Sequence, residues 1–108
     1  MIFSREVKKV FAYGEPVDMR KSFDGLLALV RCGLEEDPLS EALFIFINRR
    51  RNYLKGIFWD RTGYFLFAKK LERGRFRFPV EARKQELCEQ VLKLVLDGIE
   101  LGRRRQMS

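Results

Sequence analysis

Histidine is absent from the 108 residues. That removes the side chain whose charge changes near neutral pH, the commonest metal ligand, and the base of Ser-His and Cys-His nucleophile pairs. Cysteine is scarce: Cys32 and Cys88 cannot build a four-cysteine zinc site. Each falls in a predicted helix, where a free thiol is expected to pack as a small hydrophobe. No apolar run approaches the roughly 18 residues of a membrane span, and the longest, Ala42 to Ile47, is strand-sized. The opening MIFSREVKKV lacks the apolar stretch of about 7 to 15 residues that a signal peptide carries. The expectation is a reduced, cytoplasmic protein without a membrane partner. Neither GxxxxGK[ST] nor GxGxxG occurs, so no nucleotide cofactor is expected. Carboxylates are then the remaining catalytic set, and a metal site would need two or three of Asp18, Asp24, Asp60, Glu72 and Asp97 to converge. Asp18 reads better as a helix N-cap, Asp60 as a turn initiator and Asp97 as a helix-end surface residue. We expect no catalytic residue, no metal and no enzyme activity.

Ten Phe, three Tyr and one Trp are present, far too many for a disordered chain. A chain of this length buries roughly two thirds of its unfolded surface, enough for a single core without disulfides or metal. One domain over residues 1–108 is expected, with its core at about 6–99 and a flexible basic tail at 100–108.

The formal net charge is +7, and its placement matters more than its size. Between Asn48 and Arg77 stand Arg49, Arg50, Arg51, Lys55, Arg61, Lys69, Lys70, Arg73, Arg75 and Arg77, opposed only by Asp60 and Glu72. The rest of the chain is close to balanced. Aromatics interleave with these cations, a mixture suited to phosphate contact with base stacking. A sheet with an aromatic core and a wet basic face would give the same interleaving, but a merely solvated face normally mixes signs. The ten cations are therefore candidate nucleic-acid contacts. Arg49, Arg50 and Arg51 lead, because guanidinium groups fork onto phosphate oxygens and a strand end fixes their base. Tyr53, Trp59 and Tyr64 are candidate stacking residues, with Trp59 and Tyr64 also readable as a cross-strand pair.

Val7 to Tyr13 reads as a strand closed by Gly14-Glu15-Pro16. Met19, Phe23, Leu26, Leu27, Val30 and Leu34 form one stripe of a helix over about 19–32, with Asp18 as N-cap and Gly33 as the residue after its end. Ala42 to Ile47 is continuously apolar, as in a strand buried on both faces. Tyr53 to Trp59 and Tyr64 to Leu71 form a hairpin around Asp60-Arg61-Thr62-Gly63, read as a type I turn closing on a left-handed Gly63. Arg75 to Phe78 alternates cation and ring, predicting a further strand with both guanidinium groups on one face. Leu87, Val91, Leu94 and Val95 predict a helix from about 82 to 97, ending near Gly98. The fold class expected is α+β, in the order βαββββα: a mostly antiparallel sheet of four to five strands, with two helices packed on one face. The other face would then be open and basic, formed by the Arg75/Arg77 side together with the loop at 49–51.

The blocks DMRKSFDGLLALV (18–30) and DPLSEALFIFINRRRNYLKGIFWDRTGYFLFAKKLERGRFRFP (37–79), with the preceding Gly14 and Pro16, resemble a known family. It is the small accessory protein encoded by the second open reading frame of the IS-sixty-six group of bacterial insertion sequences, often called TnpB. The resemblance covers about residues 7–79 and departs from the usual pattern at Glu41, Ile47 and Phe78. It implies a non-catalytic accessory protein of DNA transposition that works beside a separate transposase carrying the catalytic carboxylates. Joined to the charge pattern, it gives DNA as the expected partner, held through the basic sheet face and arginine loop. The rival reading is a protein adaptor that docks the transposase through the aromatic hairpin and the acidic 35–41 connector without touching DNA. A homodimer is left open.

Overall fold

The computed structural model describes residues 7–99, and the expected tail at 100–108 lies outside the described residues. The elements run β1 (Lys9–Tyr13), α1 (Phe23–Ala28) continued by a π-helical turn (Leu29–Gly33), β2 (Ala42–Ile47), β3 (Tyr53–Trp59), β4 (Tyr64–Lys70), β5 (Lys84–Leu87) and α2 (Glu89–Leu96). Five strands form one sheet in the order β4-β3-β2-β1-β5. Only β1 and β2 are parallel, because the α1 crossover joins them; every other pair is antiparallel. The expected α+β class, sheet size and element order hold.

The helices do not share a face. Leu43, Ile45 and Ile47 of β2 join Val10 and Ala12 of β1 in a core covered by Leu92 and Val95 of α2. Phe44 and Phe46 join Phe11 and Tyr13 in a second core covered by Leu26, Leu27 and Val30. Successive side chains of a strand point to opposite sides, so a run apolar at every position needs cover on both. The centre of the sheet is therefore closed on both faces, and the expected open basic face does not form.

Local expectations are corrected as well. In the β3–β4 turn the left-handed residue is Arg61 (φ 60), not Gly63. Arg75 to Phe78 is not a strand: β4 already occupies the outer edge of β3, and Gly74 (φ 81) turns the chain back across the sheet end. The fifth strand is Lys84–Leu87, inside the stretch expected to start a helix. There β1 offers a free edge, and Leu87 pairs with Val10 and enters the core. Tertiary pairing thus overrides the helix propensity of that stretch, and α2 is confined to eight residues.

Asp18 does not cap α1. Its carboxylate accepts the Arg20 N–H (2.9 Å), closing a turn before the helix, and the N-cap position is Ser22, without a side-chain bond. Gly33 does not end the helix in left-handed geometry; Glu35 does (φ 56). Gly33 serves close approach instead, since a Cβ there would lie 3.0 Å from the Tyr13 ring. Both cysteines are exposed rather than packed, because Leu87 and Val30 take the inward positions beside them.

Candidate nucleic-acid interface

Strand directions decide which candidates meet. The C-terminal ends of β1, β2 and β4 and the N-terminal ends of β3 and β5 lie at one end of the sheet. That end carries the Arg49–Arg51 turn, Lys69, Lys70 and the segment with Arg73, Arg75 and Arg77. Its core anchor is Phe76, fully buried although it lies in irregular chain. The Phe76 N–H donates to the Arg51 carbonyl (2.6 Å), and the Leu71 N–H donates to the Asn52 carbonyl (2.8 Å). Two chain segments far apart in sequence are thereby fastened side by side.

The β2–β3 turn is held from within. Arg51 N–H donates to the Asn48 carbonyl (3.0 Å), and Arg51 takes a left-handed φ of 63°. Asn48 Oδ1 accepts the N–H groups of Asn52 (3.0 Å) and Tyr53 (3.1 Å), while Asn48 Nδ2 donates to Asn52 Oδ1 (2.9 Å). The backbone beneath the arginines is thus fixed while Arg49 and Arg50 stay exposed. Among the described residues, no carboxylate pairs with Arg49, Arg50, Arg51, Arg73 or Arg75.

The remaining candidates differ. Lys70 stands opposite Tyr53 in the sheet, its Nζ 6.0 Å from the ring centroid. Lys69 Nζ donates to the Leu96 carbonyl (2.8 Å) at the C-terminus of α2, where the helix dipole favours a cation. Arg77 is half-buried and already engaged. Lys55 Nζ donates to the Lys21 carbonyl (2.8 Å), tying β3 to the chain entering α1. Arg61, Trp59 and Tyr64 lie at the opposite end of the hairpin, about 20 Å away at roughly 3.4 Å per strand residue. Trp59 and Tyr64 meet edge to face at 5.0 Å between centroids, as a cross-strand pair.

A family model described as IS66 Orf2 like protein matches residues 8–106. The chain belongs to that family. Two relatives, both from Sinorhizobium fredii (strain NBRC 101917 / NGR234), are uncharacterized proteins. With y4jC it shares 33% identity over 96 residues, 88% of this chain and 82% of that protein. With y4hO it shares 38% over 84 residues, 77% of this chain and 73% of the relative. No solved structure matches the chain. IS66 Orf2 proteins are accessory proteins associated with transposition.

This IS66 Orf2-like chain brings more cations to the basic end than the charge count singled out. Arg20 and Arg83 lie there too, each carrying its own carboxylate: Asp18 at 2.6 Å and Glu15 at 3.6 Å. Arg20 donates from its side chain to Asp18, which is the main reason that carboxyl is lowered to about 2. No local sequence signal marks Arg83; the β1–β5 pairing brings it in, through the Gly14 N–H bond to the Arg83 carbonyl (2.8 Å). Among the described residues, no three acidic or cysteine side chains are grouped to hold a metal ion, and no helix is long and apolar enough to cross a membrane.

Proposed function

We propose that this IS66 Orf2-like protein is a non-catalytic cytoplasmic subunit that binds DNA at the arginine end of its sheet and assists a separate transposase. The observation that carries this reading is the group of five arginines without a carboxylate partner among the described residues, drawn from two segments and fastened together by Phe76. Guanidinium groups left unneutralised at one end act on phosphates together, and a held backbone fixes their spacing. Phosphate contact supplies affinity and orientation; sequence preference needs base contact in addition.

The test is DNA-binding anisotropy of wild type and the Arg49→Ala, Arg50→Ala, Arg51→Ala triple variant against duplex DNA over a salt series. Each phosphate contact contributes about 0.9 to the slope of log affinity against log salt, so the variant's slope should flatten by up to about 2.7. Unchanged affinity and slope in a folded variant would remove the arginine turn from the interface.

A second reading, transposase docking, has its own observation. At the opposite end a shallow depression of about 210 Å³ is lined by Leu39, Glu41, Phe58, Trp59 and Arg61, and Leu39 is 55% exposed. Leu39→Asp and Trp59→Ala should weaken transposase capture while leaving the DNA salt slope unchanged. Both surfaces can serve one molecule, since they occupy opposite ends.

A further inference from the structure

Beside the arginine turn lies a second feature that the charge pattern does not account for. A cleft of about 350 Å³ opens between the end of β2 and the chain leading into β5, lined by Ile47, Arg51, Phe78, Val80, Glu81 and Arg83. Its volume is at the low end of the roughly 300–1,000 Å³ of small-ligand clefts. Its lining is mixed in a particular way: apolar Ile47, Phe78 and Val80, with cations and carboxylates around them. Val80 is 59% exposed, which leaves an apolar lip facing solvent.

The cleft is built before any ligand arrives. Gln85 accepts the Val80 N–H on Oε1 (3.2 Å) and donates from Nε2 to the Val80 carbonyl (2.6 Å), so one side chain clamps both polar groups of that residue. The opposite wall is pinned where Gly14 meets residues 82 and 83; a Cβ at Gly14 would fall 1.8 Å from the Ala82 carbonyl oxygen. Glu15, also in the lining, is occupied by Arg83 (3.6 Å).

We propose that this cleft receives one unpaired nucleobase of the bound DNA. The inference rests on the DNA-binding reading above and extends it from backbone contact to a base. The lining balances Arg51 and Arg83 against Glu15 and Glu81, so it has no excess positive charge to draw a phosphate inside, while the arginines without a carboxylate partner among the described residues begin at Arg51 on its edge. A strand held by those arginines would turn its phosphates toward them and its base toward Phe78 and Val80. Phe78, half-buried against the core on the α2 side, lines the cleft with an aromatic ring that a base can stack on, and Glu81 offers an acceptor for exocyclic N–H groups of a base. A base paired inside a duplex cannot enter, so the ligand is DNA with an extruded, bulged or single-stranded nucleotide.

Anisotropy with a fully paired duplex, and with the same duplex carrying one bulged adenine, tests this at a single salt concentration. Stacking of one base is worth about 1–3 kcal/mol, so wild type should prefer the bulged duplex by roughly 5- to 150-fold. Phe78→Leu, which keeps apolar volume and loses the ring, should abolish the preference while leaving affinity for the paired duplex unchanged. Should Phe78→Leu fail to fold by thermal melting, Val80→Glu decides, because its side chain is exposed and the new charge sits at the lip. Loss of preference in a folded variant supports the cleft. Equal wild-type affinity for both duplexes, or a preference that survives in the folded variants, overturns it and leaves the arginine end standing. No binding of either duplex by wild type overturns the DNA-binding reading, and the cleft with it.

Discussion

The sheet has two turns of similar build at opposite ends. Asn48–Arg51 joins β2 to β3, Asp60–Gly63 joins β3 to β4, and each holds an arginine in left-handed geometry, Arg51 at φ 63° and Arg61 at φ 60°. Their surroundings differ. The first turn is laced by the Asn48 carboxamide and gripped from outside by the Phe76 N–H; the second closes through the Asp60 N–H bond to the Gly63 carbonyl (2.8 Å). The charged side chains of the first are all cations, whereas the second opens with a carboxylate that itself has an interaction partner. A left-handed arginine alone therefore marks nothing. What distinguishes the candidate interface is that tertiary contacts hold one turn beside a second cationic segment.

The most forceful way to break this distinction is Phe76→Ala. Truncating a fully buried phenylalanine costs about 3–5 kcal/mol, read from the midpoint of urea unfolding. The 71–78 segment should come away from the arginine turn, so DNA affinity should fall by more than the lost folded fraction explains. Tyr64→Ala, at the other end, removes an edge-to-face pair and should cost less than Phe76→Ala in the same assay, with the salt slope preserved.

Asn48→Ala is a finer probe. It deletes three side-chain hydrogen bonds and leaves the N–H groups of Asn52 and Tyr53 without that acceptor; at about 0.5–1.5 kcal/mol per bond, the loss is about 1.5–4.5 kcal/mol. The lower half is expected, because water can reach a half-buried turn. The salt slope should fall with it, since the arginines keep their charge and lose their common frame.

Smaller still is the pair Arg51→Gly and Arg61→Gly. Left-handed geometry costs a non-glycine residue roughly 1–2 kcal/mol, partly offset by the extra freedom glycine loses on folding, so each variant should gain about 0.5 kcal/mol. Equal gains in stability with unequal losses in binding would sharpen the comparison. Arg51→Gly should lower the DNA salt slope by about 0.9, and Arg61→Gly should leave it unchanged.

Much of this molecule is legible in its sequence, and the parts that are not share a cause. The strands 42–47 and 53–59 end where the apolar and aromatic runs end. Local pattern was sufficient there because a hairpin partner follows immediately. Even the two-sided cover was written in ALFIFI, whose unbroken apolar run cannot be satisfied from one face. In contrast, 75–78 alternates like a strand and is not one, and 84–87 has helix-forming residues and is a strand. Both depend on which sheet edge is vacant, and that is decided by residues far away in the chain. The candidate site follows the same division. The Arg49–Arg51 cluster is visible as composition, whereas its conjunction with Arg75, the withdrawal of Lys69 to the end of α2, and the cleft under Phe78 arise only from packing.

A cation at the basic end is not thereby free to meet a phosphate, as Arg20 shows. It is 91% exposed in its side chain, yet its guanidinium is spent on Asp18 through three contacts of 2.6–3.1 Å. The Asp18 carboxyl is accordingly lowered from 3.8 to about 2, first by the side-chain hydrogen bonds from Arg20 and then by the Arg20 backbone N–H. A carboxyl whose folded value is depressed binds its proton more readily in the unfolded chain. Its contribution to stability is thus present above pH 3.8 and lost as pH falls toward 2. NMR titration of the Asp18 carboxyl carbon should show a midpoint near 2 in wild type. Arg20→Gln should return it toward the ordinary carboxylate value. At neutral pH the same substitution should leave the DNA salt slope unchanged, because a cation already neutralised by its neighbour displaces no counterion from DNA. A drop of about 0.9 on that substitution would instead add Arg20 to the interface and widen the difference between the two ends.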